Sequence, residues 1–303
     1  MPLTEDHLTY PKRAYGQDID RYDWALAKDR PPVTLPGGKS VAVSIVIPIE
    51  FFMLNPSGKP FRHPGGMVTP YPDLRHYTSR DYGNRVGAFR LLDALKAAGL
   101  TATFAVNAAM LTRAAPLIAA IAADGHEIAA AGLHTDAIHW GGIDPATEEA
   151  YVAETRAAFA AAGLTPRCWM SPARQQSRAT LDVIAAHGFD VCLDWEVDQV
   201  PVRARTAHGA VSLVPLHNEL EDRLLLIDRR QTEDEWADQI LAAVSMLRDE
   251  APARGGQAMG LALTPWVPGL PVRIHARRRM LGALAADEAV WCAGAAAVAD
   301  AFA

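Results

Sequence analysis

The chain has 303 residues, a formal charge of −6 and a hydrophobic fraction of 50%. This length suits one large domain with a single core, and the scattered basic residues argue against nucleic-acid binding, which needs a clustered basic face. No apolar run comes near the ~20 residues that cross a bilayer, and the polar, acidic N-terminus does not resemble a signal peptide.

The three cysteines, Cys168, Cys192 and Cys292, lie far apart and show no metal-binding spacing. An odd number of such cysteines indicates reduced thiols. We therefore expect a cytoplasmic protein that acts on a small molecule, with no membrane or nucleic-acid partner.

Residues 1–40 are polar and rich in proline, and we interpret them as an N-terminal arm on a single domain of residues 41–303. Val41–Ile49 is a nearly continuous β-branched run, typical of a strand buried on both faces. Residues 53–81 are predicted to form a long loop, either a lid or an interface. The aromatic residues in and just before this segment favour a homodimer or homotetramer, which light scattering can test.

From residue 84 onward, helical patterns alternate with short apolar runs. Helices are predicted at 85–98, 108–124, 146–162, 177–187, 232–250 and 275–286, and strands at 101–106, 126–131, 167–170, 190–194 and 258–264. This alternation predicts βαβ units and an α/β fold with a parallel sheet. In such folds the active site lies at the carboxyl ends of the strands.

Several segments at the predicted strand ends resemble the polysaccharide deacetylase family. They are Ser44–Phe52, Arg80–Gly87, Gly125–His139, Trp169–Arg174, Asp194–Pro201 and Thr264–Pro271. The resemblance is strongest to the allantoinase-like branch, which includes metal-independent allantoinases and cyclic imide hydrolases. It implies a distorted (β/α) barrel of the polysaccharide deacetylase type.

The sequence departs from the family where its relatives bind a metal. Pro48 stands where the family has an acid, Ala131 where it has a metal-binding His, and Thr264 where it has a late His. Gln199 replaces the second acid of an Asp-Asp pair. These departures imply a site without a metal or other cofactor, and either a changed mechanism or a lost one.

A metal remains a minority hypothesis. His134, Asp136 and His139 follow the altered motif, and two imidazoles with a carboxylate are suitable ligands for zinc or iron.

Three residues are candidate catalytic groups: Glu50, His139 and Asp198. Glu50 follows an apolar strand, and a carboxylate in apolar surroundings has a raised pKa that suits acid–base catalysis. The alternative for Glu50 is a structural ion pair with Arg85 or Arg174. The alternative for His139 is a surface or core histidine, and the alternative for Asp198 is a solvated acidic loop.

Six further residues are candidates for substrate binding: Arg85, His134, Arg174, Trp195, His217 and Trp266. Arg174 follows a predicted strand, where its planar guanidinium could hold a carboxylate or imide oxygen, or could instead pair with Asp194 or Asp198. Arg85 opens a predicted helix, an unfavourable place for a cation, and should have an anionic partner such as Glu50 or the substrate. The two tryptophans could stack on a flat ring or belong to the core.

These residues favour a metal-independent hydrolase of a carbon–nitrogen bond in a small cyclic amide or imide, with Glu50 or a nearby His as general base. One alternative is a lyase, isomerase or decarboxylase of a small carbonyl compound, because proton transfer beside a carbonyl needs no metal. A non-catalytic homologue is the other alternative.

Overall fold

One curled sheet organises the chain in the computed structural model, which describes residues 19–23, 25–57 and 70–303. Its strands are β1 (Val41–Ile49), β2 (Thr103–Val106), β3 (Glu127–Ala130), β4 (Cys168–Trp169), β5 (Val191–Cys192), β6 (Val202–Thr206), β7 (Gly209–Leu213), β8 (Gln257–Ala262) and β9 (Val290–Cys292). They follow the order β6-β7-β5-β4-β3-β2-β1-β8, and β9 pairs with the first part of β1. All pairs are parallel except β6 with β7, so the predicted α/β fold with a parallel sheet is confirmed.

Helices pack on this sheet, most of them on its outer face. They are α1 (Leu74–Tyr82), α2 (Ala88–Ala98), α3 (Ala108–Arg113), α4 (Ala115–Ala123), α5 (Pro145–Ala161), α6 (Thr180–Ala186), α7 (Glu233–Arg254), α8 (Ile274–Ala286) and α9 (Ala295–Ala301). Asp144 caps α5 by accepting from Thr147 N, and Thr232 with Glu235 forms a reciprocal capping box at the start of α7. None of the described helices is long and apolar enough to cross a bilayer.

The side chains of β1 alternate between two cores. Val43, Ile45 and Ile47 pack in the large core that includes the helices, whereas Ala42 and Val46 face a second core on the inner side of the sheet. The inner core consists largely of small residues, and the C-terminal helix α9 packs into it. The inward positions of β1 continue past Val46 to residues 48 and 50, which face the mouth of the half-barrel.

The segment before α2 differs from the prediction. Asp73 accepts hydrogen bonds from Arg75 N and His76 N, and α1 begins there rather than at residue 85. A π-helical turn at Gly83–Gly87 joins α1 to α2. The predicted loop over 53–81 is therefore wrong from residue 74 onward, and residues 58–69 lie outside the described part.

Other boundaries also differ. The predicted helix over 108–124 is two helices, because Ala114 has non-helical φ and ψ of −127° and 37°. The prediction omitted β6, β7, β9 and α9. β6 alternates exposed and buried positions as part of an edge hairpin, whereas continuous apolar runs mark the strands buried on both faces.

The described part of the arm packs on the domain. Arg21 forms an ion pair of 2.6 Å with Asp182 in α6, and its carbonyl accepts from Arg205 N in β6. Residues 1–18 and 24 lie outside the described residues, so the boundary at residue 40 stays a prediction.

We expect Gly87→Ala to destabilise the fold. A Cβ at residue 87 would lie 2.0 Å from the carbonyl oxygen of Pro265, although the backbone of Gly87 is helical and tolerates any residue. Overpacking of this kind costs about 1–3 kcal/mol in the free energy of unfolding, which urea denaturation measures.

Gly282→Ala is the matched control. Gly282 lies within α8, and a Cβ there meets nothing within 4 Å. This change should be neutral or stabilising by about 0.5–1 kcal/mol. Equal urea midpoints for the Gly87 variant and the wild type would show that the turn at Gly83–Gly87 does not pack against Pro265 as described.

Candidate functional site

A cleft with about 410 Å³ of empty space opens at the carboxyl ends of the strands. Its wall consists of Val46, Pro48, Glu50, Met170, Ser171, Ala173, Arg174, Leu216, Glu221, Arg223, Ala262 and Thr264. Val46, Pro48 and Glu50 occupy alternate positions of one strand face. The cleft is therefore where an α/β barrel carries its active site.

Glu50 is held by its backbone and left unpaired at its carboxylate. Its carbonyl accepts from Asn84 Nδ2 at 2.8 Å, and the next amide, Phe51 N, donates to Asn107 Oδ1 at 2.8 Å. Among the described residues, no hydrogen bond or ion pair to the Glu50 carboxylate is present, so the expected alternative of a salt bridge with Arg85 or Arg174 is not formed. Burial raises the pKa of Glu50, and the positive charges of Arg223 and Arg80 partly oppose this rise.

Arg80 is a buried cation close to Glu50. Its guanidinium lies 5.1 Å from the ring centre of Phe52 and 4.8 Å from that of Trp266, and its Nη1 donates to the carbonyl of His76 at 3.0 Å. Burial lowers the pKa of Arg80 to about 10, so it stays charged at neutral pH. Sequence analysis placed Arg80 in a family-like motif but gave it no role.

Glu221 and Arg223 form a second ionic group in the cleft wall. Nε and Nη2 of Arg223 donate to Oε1 of Glu221 at 2.8 and 2.5 Å. Burial lowers the pKa of Arg223, but Glu221 and Glu50 outweigh this and raise it above its ordinary value. No role for this pair is predicted from the sequence, although the charged run at residues 221–223 directly precedes the apolar residues 224–227.

Asp222 lies between Glu221 and Arg223 in sequence, but its side chain points into the core. It is fully buried, and its Oδ2 accepts from Thr264 N at 2.5 Å, which fixes the end of β8 at the cleft. Burial raises the pKa of Asp222 to about 7.

Arg174 lines the cleft, and both of its terminal nitrogens donate to the protein itself. Nη1 donates to Asn218 Oδ1 at 2.8 Å, and Nη2 donates to the carbonyl oxygens of Leu216 at 2.7 Å and Asp194 at 3.3 Å. The expected alternative of a carboxylate partner at Asp194 or Asp198 is not formed. Ala173 and Arg174 both have positive φ, 56° and 53°, a conformation that costs a non-glycine residue energy and often occurs at functional sites.

His139 lies in the core and does not reach the cleft. It is fully buried, its Nδ1 is 3.0 Å from Glu148 Oε1, and its ring meets Trp169 edge-on. Burial raises the pKa of Glu148, but hydrogen bonds from His139 and two hydroxyl groups outweigh this and lower it.

Asp198 also lies away from Glu50. It forms an ion pair of 2.5 Å with Arg30, and the neighbouring Gln199 carbonyl accepts from Ala258 N near the amino end of β8. Glu50 lies at the opposite, carboxyl end of the sheet, so the structure does not bring these two predicted catalytic residues together.

Arg85 is exposed in the π-helical turn and makes no hydrogen bond or ion pair with any described residue. The prediction that Arg85 opens a helix is wrong, because α1 precedes it. The unfavourable charge at a helix start, which motivated an anionic partner, is therefore absent.

The four remaining predicted residues also lie outside the cleft wall. His134 Nδ1 accepts from Asp136 N at 3.3 Å, and Trp195 Nε1 donates to Gln176 Oε1 at 2.9 Å. Trp266 is buried beneath Arg80. His217 Nδ1 accepts from Gly260 N at 3.3 Å and its Nε2 lies 3.1 Å from Gln199 Oε1, so its ring links β8 to the loop before β6. Substrate binding by these four residues stays a prediction.

The residues at the family's metal positions do not fit a metal. The side chains of Pro48 and Ala131 have no donor atom, and Thr264 is joined to Asp222. Asp136 accepts from Ser57 N, and His139 is paired with Glu148. In the part of the chain that the structure describes, no three His, Cys, Asp or Glu residues are grouped to hold a metal ion.

The pKa of Asp222 predicts a pH-dependent stability. Its folded pKa of about 7 exceeds the ordinary 3.8, so the unfolded chain releases a proton that the folded protein keeps. The contribution of Asp222 to the free energy of unfolding is fully present below about pH 4 and is lost as the pH rises to about 7. Asp222→Asn, which cannot ionise, should therefore gain about 2–3 kcal/mol in unfolding free energy relative to wild type between pH 5 and pH 8.

Urea unfolding at the two pH values measures this difference. Asp238→Asn, on the exposed face of α7, changes the same group without burial and should show no such gain. An equal pH dependence in wild type and the Asp222 variant would mean that Asp222 is ionised in the folded protein.

Comparisons with known proteins agree with this fold. Residues 75–192 match the family model described as polysaccharide deacetylase. A probable polysaccharide deacetylase from Pseudomonas aeruginosa PAO1 superposes with a TM-score of 0.80 at 21% identity, over 90% of this chain and 95% of that chain. The PuuE allantoinase superposes with a TM-score of 0.80 at 21% identity, over 90% of this chain and 94% of that chain.

No curated protein sequence matches this chain. At 21% identity, the structural similarities show the fold and leave the reaction open. The predicted resemblance is nevertheless confirmed: residues 75–192 match the polysaccharide deacetylase family model in sequence, and 90% of the chain superposes on the fold of a probable polysaccharide deacetylase.

Proposed function

We propose that this protein is a metal-independent hydrolase that cleaves a carbon–nitrogen bond in a small cyclic amide or imide, with Glu50 as the general base. The observation that carries this proposal is the Glu50 carboxylate, which faces the cleft without a hydrogen-bonding partner among the described residues. A carboxylate in this state can accept a proton from water.

The environment of Glu50 suits this role. An ordinary carboxylate is a weak base near neutral pH, because its pKa lies near 4. Burial raises the pKa of Glu50, while Arg223 and Arg80 limit the rise and so favour a carboxylate that is still ionised. A base whose pKa approaches the working pH transfers protons most effectively.

The cleft suits a small ring better than an extended sugar chain. The empty space of the cleft, including the part open to solvent, is only about 410 Å³. One part of its wall is apolar, with Val46, Pro48, Met170, Leu216 and Ala262, and the other carries the charged groups. The allantoinase with the same fold provides a parallel for a cyclic ureide substrate. We also propose a cytoplasmic location and a homodimer or homotetramer, both of which stay predictions.

Glu50→Gln should lower turnover about 10²–10⁴-fold, because it removes the ionisable group and preserves the shape. Turnover is measured as ring opening of allantoin, hydantoin and succinimide, with circular dichroism to verify the fold. Glu219→Gln, the same change at an exposed ion pair with Arg229, should keep the wild-type rate. A Glu50 variant as fast as wild type would make Glu50 structural, and a wild-type protein that opens none of the rings would contradict the hydrolase.

Catalysis should be insensitive to EDTA. Pro48 and Ala131 offer no donor atoms at the family's metal positions, so a chelator has nothing to remove that the proposed mechanism needs. The measurement is ring opening after dialysis against EDTA, with and without added zinc. Loss of activity that zinc restores would contradict the proposed mechanism.

A further inference from the structure

We infer that Arg223 is a second catalytic residue of this site, which donates a hydrogen bond to the substrate carbonyl opposite Glu50, and that Glu221 positions it. This inference rests on the proposed function.

The geometry of the cleft supports this role for Arg223. Glu50, Glu221 and Arg223 all line the same cleft wall. Glu221 engages Nε and Nη2 of Arg223, which fixes the plane of the guanidinium. Nη1 makes no hydrogen bond to any described residue, so its N–H groups can serve a ligand.

Arg223 suits this task better than the other two guanidinium groups near the site. Arg174 donates from Nη1 and Nη2 to oxygens of the protein itself. Arg80 lies between two aromatic rings and donates to the carbonyl of His76. Among these three, only Arg223 lines the cleft with a terminal nitrogen that no described residue engages.

The proposed step uses both groups. The oxygen of a water molecule attacks the carbonyl carbon while one of its protons moves to Glu50. The electron pair of the carbonyl moves to its oxygen, where the oxyanion accepts from Arg223. The electron pair on the oxyanion then re-forms the carbonyl, and the carbon–nitrogen bond breaks. The nitrogen takes the proton from Glu50, so that one water has been added across the bond.

Arg223 and Glu221 should also influence the ionisation of Glu50 in opposite directions. Arg223 lowers the pKa of Glu50 and Glu221 raises it. The other charged or titratable groups that face Glu50 are Arg80 and Arg174 near the cleft, and Tyr77, Asp81 and Arg113 on its other side. Asp81 and Arg113 are joined to each other at 2.7 Å, so their charges largely cancel at Glu50.

The test compares Arg223→Met, Arg223→Lys and Glu221→Gln with the wild type. The ionisation of Glu50 is measured without any substrate, by titrating the side-chain ¹³C signals of labelled glutamate, where the Glu50 signal is the one absent from Glu50→Gln. The midpoint should move to higher pH in Arg223→Met and to lower pH in Glu221→Gln. The acid limb of the pH profile of kcat/KM should move in the same two directions.

Turnover separates catalysis from a purely structural role. Arg223→Met should lower kcat about 10²–10³-fold with a smaller change in KM, because the oxyanion exists only in the transition state. Arg223→Lys should keep the Glu50 midpoint near the wild-type value and restore only part of kcat, because an ammonium group lacks the planar fork. If Arg223→Met fails to fold, this lysine variant alone tests the donor.

Arg229 and Glu219 supply the matched controls. They form an exposed ion pair of 2.6 Å in the same region of the chain. Arg229→Met and Glu219→Gln should leave both the Glu50 midpoint and kcat unchanged.

Unchanged midpoints in Arg223→Met and Glu221→Gln, or full activity in Arg223→Met, would overturn the inference. Opposite midpoint shifts in a protein that opens no cyclic amide would support the arrangement of the charges while contradicting the proposed function. The two failures are therefore distinguishable.

Discussion

The alternation of side chains along β1 is the constraint on which the site depends. Large β-branched residues at positions 43, 45 and 47 fill the core beneath the helices, and this leaves positions 46, 48 and 50 for the inner face. A shift of one residue in register would bury Glu50 against the helices and place Ile49 in the cleft. The stability of the large core therefore fixes the direction of the candidate base.

The charges around Glu50 include both signs. Arg80 stacks on the rings of Phe52 and Trp266, and its positive charge lowers the pKa of Glu50. The Arg223–Glu221 pair adds two opposite charges and no net charge. Arg174 adds a further positive charge to the cleft wall.

The residues at the family's metal positions offer little to an ion. The side chains of Pro48 and Ala131 lack donor atoms, and Thr264 is tied through its backbone to Asp222. Pro48 and Thr264 line the cleft, whereas Ala131 is buried in the inner core. In the proposed mechanism the guanidinium of Arg223 stabilises the oxyanion. A fixed hydrogen-bond donor in a partly enclosed cleft can do this because little reorganisation is needed when the charge develops.

The sequence by itself determined the α/β fold, the course of β1 and the position of Glu50 at its end, because these features depend on the periodicity of consecutive residues. Only the tertiary structure decided which other groups share the cleft. It brought Arg223 and Glu221 to Glu50, buried His139 beside Glu148 and carried Asp198 to the other end of the sheet. A loop after a strand can turn into the cleft, into the core or back along the barrel, and long-range packing determines which of these it does. The hairpin of β6 and β7 was not predicted for a related reason. Its residues alternate between burial and exposure only because β7, and not β6, pairs with the rest of the sheet.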